Sequence, residues 1–379
     1  MASYENIKDI SQGLNIVSGA LHPECIYLIA EEFFDKKKHG NKCEDEWDFI
    51  GKFHIYLYKP LFMEQGNDWQ GKLYSGMVDM TRVAVIPNRP PAFLGCISAS
   101  GTIIYQANAK EEPENFQMTK NAIKARGRIS DLAVIDNDIY ATSSGGAVYK
   151  RITDENWEEI ALSVTERFFS DDSFTNGFDC IDGFSADEIY VGGEKGILWI
   201  CDKGKWRPID LPYNKDIEQI VCAPDGYVYL NCCWKILKGR KDSWQIIDID
   251  NHLPPSMGIA KMSWFKGGVY LLPDAASAIG LYCYRNDIIK QVPVGNIQIK
   301  PKKTISNNPL LNLEFTNAEV QVFIPGGLND MMANDDLLMI TGGNAVILFD
   351  GNRWFNLFNK NKSEEELRAT GTFYDPREL

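Results

Sequence analysis

Ile189-Tyr190-Val191-Gly192-Gly193, then Gly196-Ile197-Leu198-Trp199, then Trp206, is the stretch whose pattern decides the fold. An aliphatic-Tyr-aliphatic phrase reads as a short buried strand. A glycine break ends it, a third strand follows, and an aromatic opens a fourth. The phrase recurs along the chain as Ile26-Tyr27-Leu28, Ile139-Tyr140-Ala141, Val228-Tyr229-Leu230 and Val269-Tyr270-Leu271, with looser copies at Phe93-Leu94-Gly95 and Leu337-Leu338-Met339. Taken at the middle residue, the intervals are 67, 46, 50, 39, 41 and 68. Trp157, Trp206, Trp244 and Trp354 follow their phrases by 17, 16, 15 and 16 positions.

Each copy sits in the same local order. Before it comes an apolar strand and a turn, as in Leu132–Ile135 with Asp136-Asn137-Asp138, or Ile220–Ala223 with Pro224-Asp225-Gly226. Asp, Asn and Gly tolerate the positive φ of tight hairpins. Four short strands per repeat of about 45 residues is the mark of a β-propeller blade. The expectation is an all-β chain forming one propeller of seven four-stranded blades, at about 13–76, 82–119, 129–162, 177–212, 216–250, 258–294 and 327–358. The two long intervals mark insertions at Glu31–Ile50 and Gly295–Gly326, the second long enough for an extra strand or a degenerate blade, so six or eight blades stay compatible. Ser363-Glu364-Glu365-Glu366 has capping-box spacing and predicts a short helix through Ala369, and 359–379 is helix and tail. Either residues 1–12 or the tail could close the ring.

The pattern resembles the broad bacterial propeller class with WD-repeat-like and sialidase-like architecture. The Gly-His and Trp-Asp dipeptides of WD repeats are missing, and Asp202-Lys203-Gly204-Lys205-Trp206 is one residue short of a sialidase-type Asp-box.

The 379 residues carry 39 Lys plus Arg against 52 Asp plus Glu, a formal charge of −13. Such a chain repels nucleic acid and anionic lipid, and suits a basic protein partner. Met1-Ala2-Ser3-Tyr4-Glu5-Asn6 has no basic n-region with an apolar run behind it, and no apolar run approaches the roughly 20 residues of a membrane span, so a cytoplasmic protein is expected. Nine cysteines without a CxxC pair fit free thiols better than a disulfide framework, and four scattered histidines do not make a zinc site.

No Gly-x-Ser-x-Gly, P-loop, HExxH or dinucleotide fingerprint is present. No catalytic residues are expected. A glycan-active enzyme, sialidase- or lyase-like, is the alternative, but the arginines keep no repeat-locked position. The acids show more order. Asp131, Asp179, Glu218 and Asp330 fall near the start of a blade's first strand and are expected around one channel mouth, where they could hold Ca²⁺ or receive a partner's Lys or Arg. The alternative is that strand starts are polar because they leave a loop.

Charge is also uneven. From Phe168 to Glu194 there are seven acids and no Lys or Arg, and from Thr304 to Asn352 six acids and again none. Acids among aromatics suit docking of a cationic protein. This marks Asp171, Asp172, Phe174, Asp179, Asp182, Asp187, Asp335 and Asp336 as partner-binding candidates. The basic groups Lys36–Lys38, Lys120 to Arg128 and Lys235 to Lys241 are expected to balance neighbouring acids. The functional expectation is a non-catalytic protein-binding propeller, monomeric or in a heterocomplex. In its sharper form it is an immunity-type inhibitor of a cationic toxin or enzyme. A structural subunit of a larger assembly is a further alternative.

Overall fold

In the computed structural model, the described residues are 14–32, 34–40, 51–60, 68–75, 80–86, 93–97, 101–106, 117–119, 122–153, 156–160, 177–249, 252–253, 258–274, 280–293, 298–301, 313–316, 324, 330–343 and 345–377. Consecutive strands pair as antiparallel hairpins into four-stranded sheets. The first contains β1 (Leu14–His22), β2 (Cys25–Glu32), β3 (Lys52–Tyr58) and β4 (Trp69–Ser75). The second contains β5 (Met80–Val85), β6 (Phe93–Ile97), β7 (Thr102–Gln106) and β8 (Gln117–Thr119). Next come β9 (Ile129–Ile135), β10 (Asp138–Ser143), β11 (Val148–Arg151) and β12 (Trp157–Glu159), then β13 (Phe178–Ser185), β14 (Glu188–Gly193), β15 (Leu198–Asp202) and β16 (Lys205–Ile209). They are followed by β17 (Gln219–Cys222), β18 (Val228–Cys232), β19 (Lys235–Arg240) and β20 (Ser243–Ile247), and by β21 (Ile259–Phe265), β22 (Gly268–Pro273), β23 (Leu281–Arg285) and β24 (Ile288–Val292). In the 295–326 insertion, β25 (Gln298–Pro301) and β26 (Leu313–Thr316) form a two-stranded hairpin. The last sheet contains β27 (Asp330–Ala333), β28 (Leu338–Gly342), β29 (Ala345–Phe349) and β30 (Trp354–Asn359).

The first strands of the sheets pack side by side around an axis: β1 on β5, then β9, β13, β17, β21 and β27, which returns to β1 and closes the ring. The chain is therefore a single β-propeller with four-stranded blades and a short C-terminal helix.

The Tyr phrase occupies the second strand of its blade. Tyr27, Tyr140, Tyr190, Tyr229 and Tyr270 are all buried there. Glycines follow because two segments of one blade cross: a Cβ on Gly193 would run into the carbonyl of Gly177, and one on Gly145 into that of Arg126. Tight two-residue turns join the strands, with positive φ at Asp136 and Asn137 (51° and 61°) and at Asn286 and Asp287 (52° and 60°). The apolar core lies between blades, not on the axis. Ile135, Tyr140 and Val148 meet Phe178, Ile181, Ile189 and Trp199 across one seam. Leu14, Ile16, Leu28 and Tyr58 meet Leu337, Met339, Val346 and Leu357 where the first blade joins the last.

Trp157, Trp206, Trp244 and Trp354 all stand in the fourth strand of a blade. Trp354 is buried, while the other three are half-buried. Two of them tie blades together: the Trp206 indole N–H donates to the Ile160 carbonyl (3.1 Å) and that of Trp354 to the Pro293 carbonyl (2.9 Å), each just past the outer strand of the preceding blade.

Residues 1–12 lie outside the described residues, and the described tail adds no strand to the first blade. The helix Glu364–Ala369, with a complete capping box on Ser363, turns the chain back. Phe373 then bridges Asn356 on β30 in parallel, and the Tyr58 hydroxyl donates to the Tyr374 carbonyl (2.9 Å). Arg377 ends the run on Asp68, beside β4 of the first blade (2.7 and 3.1 Å).

Candidate functional site: the central channel and its two rims

The innermost strand of a blade is an edge strand, with backbone N–H groups that no strand ladder satisfies. Side chains of the neighbouring blade take up that role. Asp131 Oδ2 accepts from Ile181 N (3.1 Å), and Asp182 Oδ2 accepts from Cys222 N (2.7 Å). Gln219 clamps Met262 at both N and O (2.7 and 2.8 Å). The Ser18 hydroxyl donates to Asp330 Oδ2 (2.6 Å) across the seam between last and first blades. Polar stitches thus join each of these pairs of neighbouring blades.

These stitches surround a channel cavity of about 380 Å³, whose polar lining includes Ser18, Asp131, Asp182, Glu218, Lys261 and Asp330. Asp131, Glu218 and Asp330 thus share the channel. Asp179 stands at the start of β13, half-buried and outside the cavity lining. Burial pushes its carboxyl up to about 6, helped by the charges of Glu194, Asp216 and Asp131. Burial likewise raises Asp182 to about 7, against the pull of two backbone N–H bonds from Cys222 and Gly183. Glu218 Oε1 accepts from the Cys233 thiol (3.2 Å).

Raised carboxyls in a cavity often mark a site of chemistry. Here Asp182 already serves as an acceptor for backbone, which gives its position a structural reason. Among the described residues of the lining, Lys261 is the cation, 4.0 Å from Asp330, and no arginine joins it. Among the described residues, no group of three or more His, Cys, Asp or Glu is placed to hold a metal ion. No helix among them is long and apolar enough to cross a membrane.

The partner-binding candidates divide. Asp171, Asp172 and Phe174 lie outside the described residues. Asp179 lies at the rim where inner strands begin. Asp187 lies in the β13–β14 turn and Asp335 and Asp336 in the β27–β28 turn, all three exposed at the opposite rim. The basic groups do pair with acids: Lys38 with Glu32 (2.7 Å), Lys238 with Asp287 (3.2 Å), Arg240 with Glu188 (2.8 Å) and Lys241 with Asp202 (3.2 Å). Sequence reasoning missed the rings around Lys238, because Tyr227, Tyr229 and Tyr284 come from two blades. The only available signal was Tyr227 beside a turn, where a polar residue is usual.

No family model matches the chain. The Immune protein Tsi7 of Pseudomonas aeruginosa is 31% identical over 218 residues, which is 56% of this chain and 66% of that protein, just under two thirds of its length. Among solved structures, the β-propeller domain of the Trilobed protease from Pyrococcus furiosus aligns with a TM-score of 0.51 at 11% identity, over 95% of this chain and 98% of that one. YCF48 from Cyanidioschyzon merolae aligns with a TM-score of 0.54 at 10% identity, over 89% and 95%. Likeness at that identity concerns the fold alone.

Proposed function

We propose that this chain is a non-catalytic, immunity-type propeller of the cytoplasm that binds and neutralises a protein toxin. The observation that carries the reading is the 31% identity to an immune protein over 218 residues. The channel supports it, since Asp131, Asp182 and Asp330 are spent on joining blades. The formal charge of −13 makes a cationic toxin the fitting partner, with the chain a monomer until it meets that toxin.

The test is a competition in the organism that carries the gene. A strain deleted for the chain is grown in contact with its parent, with and without a plasmid copy. The deleted strain should be inhibited and the plasmid copy should rescue it. Equal growth of deleted strain and parent would end the immunity reading.

A further inference from the structure

Two turns of adjacent blades meet around Lys238. From one blade come Asp225 and Tyr227, in the β17–β18 turn, and Tyr229. From the next come Tyr284 and Asp287, at the β23–β24 turn, and Ile288. The Lys238 ammonium stands 4.6 Å from the Tyr227 ring centroid, 5.4 Å from Tyr284 and 5.9 Å from Tyr229, within cation–π range of all three. Both carboxylates are oriented by phenols: the Tyr229 hydroxyl donates to Asp225 (2.7 Å) and the Tyr284 hydroxyl to Asp287 (2.5 Å). Lys238 also donates to Asp287 (3.2 Å), and these two donors hold that carboxyl below its usual range.

The fold accounts for the inside of this cage and not for its outside. Lys238 retains only 13% of its side-chain exposure, while Asp287 retains 75%. Tyr227 is 46% exposed and Ile288 52%, among the large apolar side chains that the described residues leave in solvent. Two carboxylates against one ammonium leave a surplus negative charge beside exposed apolar surface. Tyrosine next to a complementary charge is a common composition for an interface hot spot.

We propose that the Asp225–Tyr227 and Asp287–Ile288 turns form the anchor for a lysine- or arginine-bearing loop of the protein partner. The partner's cation meets Asp225 and Asp287, and its aliphatic stem lies across Tyr227 and Ile288. Lys238 fixes the rings beneath. The proposal rests on the immunity reading for its biological partner, and names the rim on which that partner sits.

Two measurements test it on the full chain. In the competition assay, Tyr227→Ala and Asp287→Asn should each lose protection, with binding to the toxin weakened about tenfold or more. Trp234→Ala changes an equally exposed aromatic (50%) at the other end of β18, and should protect like the wild type. Full protection by Tyr227→Ala and Asp287→Asn, or loss only with Trp234→Ala, would overturn the anchor and leave the immunity reading standing. The second measurement needs no toxin. Hexalysine is titrated into the isotope-labelled chain while the Ile288 methyl, Tyr227 ring and Trp234 indole signals are followed. Shifts at Ile288 and Tyr227 several times those at Trp234, abolished in Asp287→Asn, support the anchor even if the deleted strain grows normally. Shifts spread evenly over the three would refute it.

Discussion

Arg377 grips Asp68 with both guanidinium nitrogens, Nη1 to Oδ1 at 3.1 Å and Nη2 to Oδ2 at 2.7 Å, across 309 residues of chain. The same guanidinium holds Asp375, which Arg368 also holds (2.8 Å). Both carboxylates are buried, Asp68 at 6% and Asp375 at 2% exposure. This clasp acts with the apolar seam to join last blade to first.

Removing Arg377 should therefore cost more than a surface ion pair does. Arg377→Ala leaves two buried carboxylates short of a partner, and we expect a loss of about 2–4 kcal/mol by urea unfolding. Arg377→Lys keeps the charge without the fork and should recover only part of it. An Ala variant within about 0.5 kcal/mol of the wild type, the usual range for surface changes, would show that the clasp contributes little.

Two aspartates should give opposite pH dependence. The arginines hold Asp375 well below the usual carboxylate range, so its contribution is present above a pH of about 4 and fades on acidification as the carboxyl gains a proton. Asp182, raised to about 7, keeps a proton in the folded chain that the unfolded chain has already released. Its contribution is full below about pH 4 and declines as pH rises toward 7. Urea titrations from pH 3 to 8 should find that decline reduced in Asp182→Asn and the acid-side loss reduced in Arg377→Ala. Unchanged slopes in both variants would contradict the assignment.

Asp131 should prove to be a stitch. Asp131→Ala strips the Ile181 N–H of its acceptor at a blade seam, for an expected cost of about 1–3 kcal/mol. Toxin affinity at a temperature where the variant is folded should not move. A variant of normal stability with lost affinity would assign Asp131 to the partner instead.

The tryptophans should rank by burial. Trp354 stacks on Phe349 at 4.5 Å and is 8% exposed, so Trp354→Ala should cost about 3–5 kcal/mol. Trp244 is half-buried and bonds only its own turn, at the Lys241 carbonyl (2.7 Å), so its Ala variant should cost less. Equal melting temperatures for the two variants would count against this ranking.

Toxin association should respond to salt. With a chain of charge −13, the on-rate should fall steadily as the Debye length shrinks from about 10 Å at 0.1 M to about 3 Å at 1 M. Stopped-flow rates flat across that range would remove charge steering.

The blade pattern was legible because it is local. A Tyr in the second strand, glycines where backbones cross, and a Trp opening the fourth strand are all set within one hairpin or the next. The capping box on Ser363 is local too. What lies across a seam was not legible. Asp131 reads as a possible ion ligand and Asp182 as a partner contact because the N–H groups they accept from, Ile181 N and Cys222 N, are 50 and 40 residues away. The Lys238 cage was hidden for the same reason, with Asp287 49 residues distant. Burial of the tryptophans was only partly legible, since outer strands of a blade face both a neighbour and solvent.

The contiguity of each blade also bears on how the protein is made. A chain emerging from the ribosome can fold each blade and dock it on the one before, with no need for sequence still to come. The first blade is the exception. Its seam residues Leu14, Ile16 and Tyr58 wait for β27–β30, and the clasp waits longer still for Arg377. Throughout synthesis the growing arc carries one uncovered apolar flank. Stalled translation late in the message would prolong that exposure and favour association between unfinished chains.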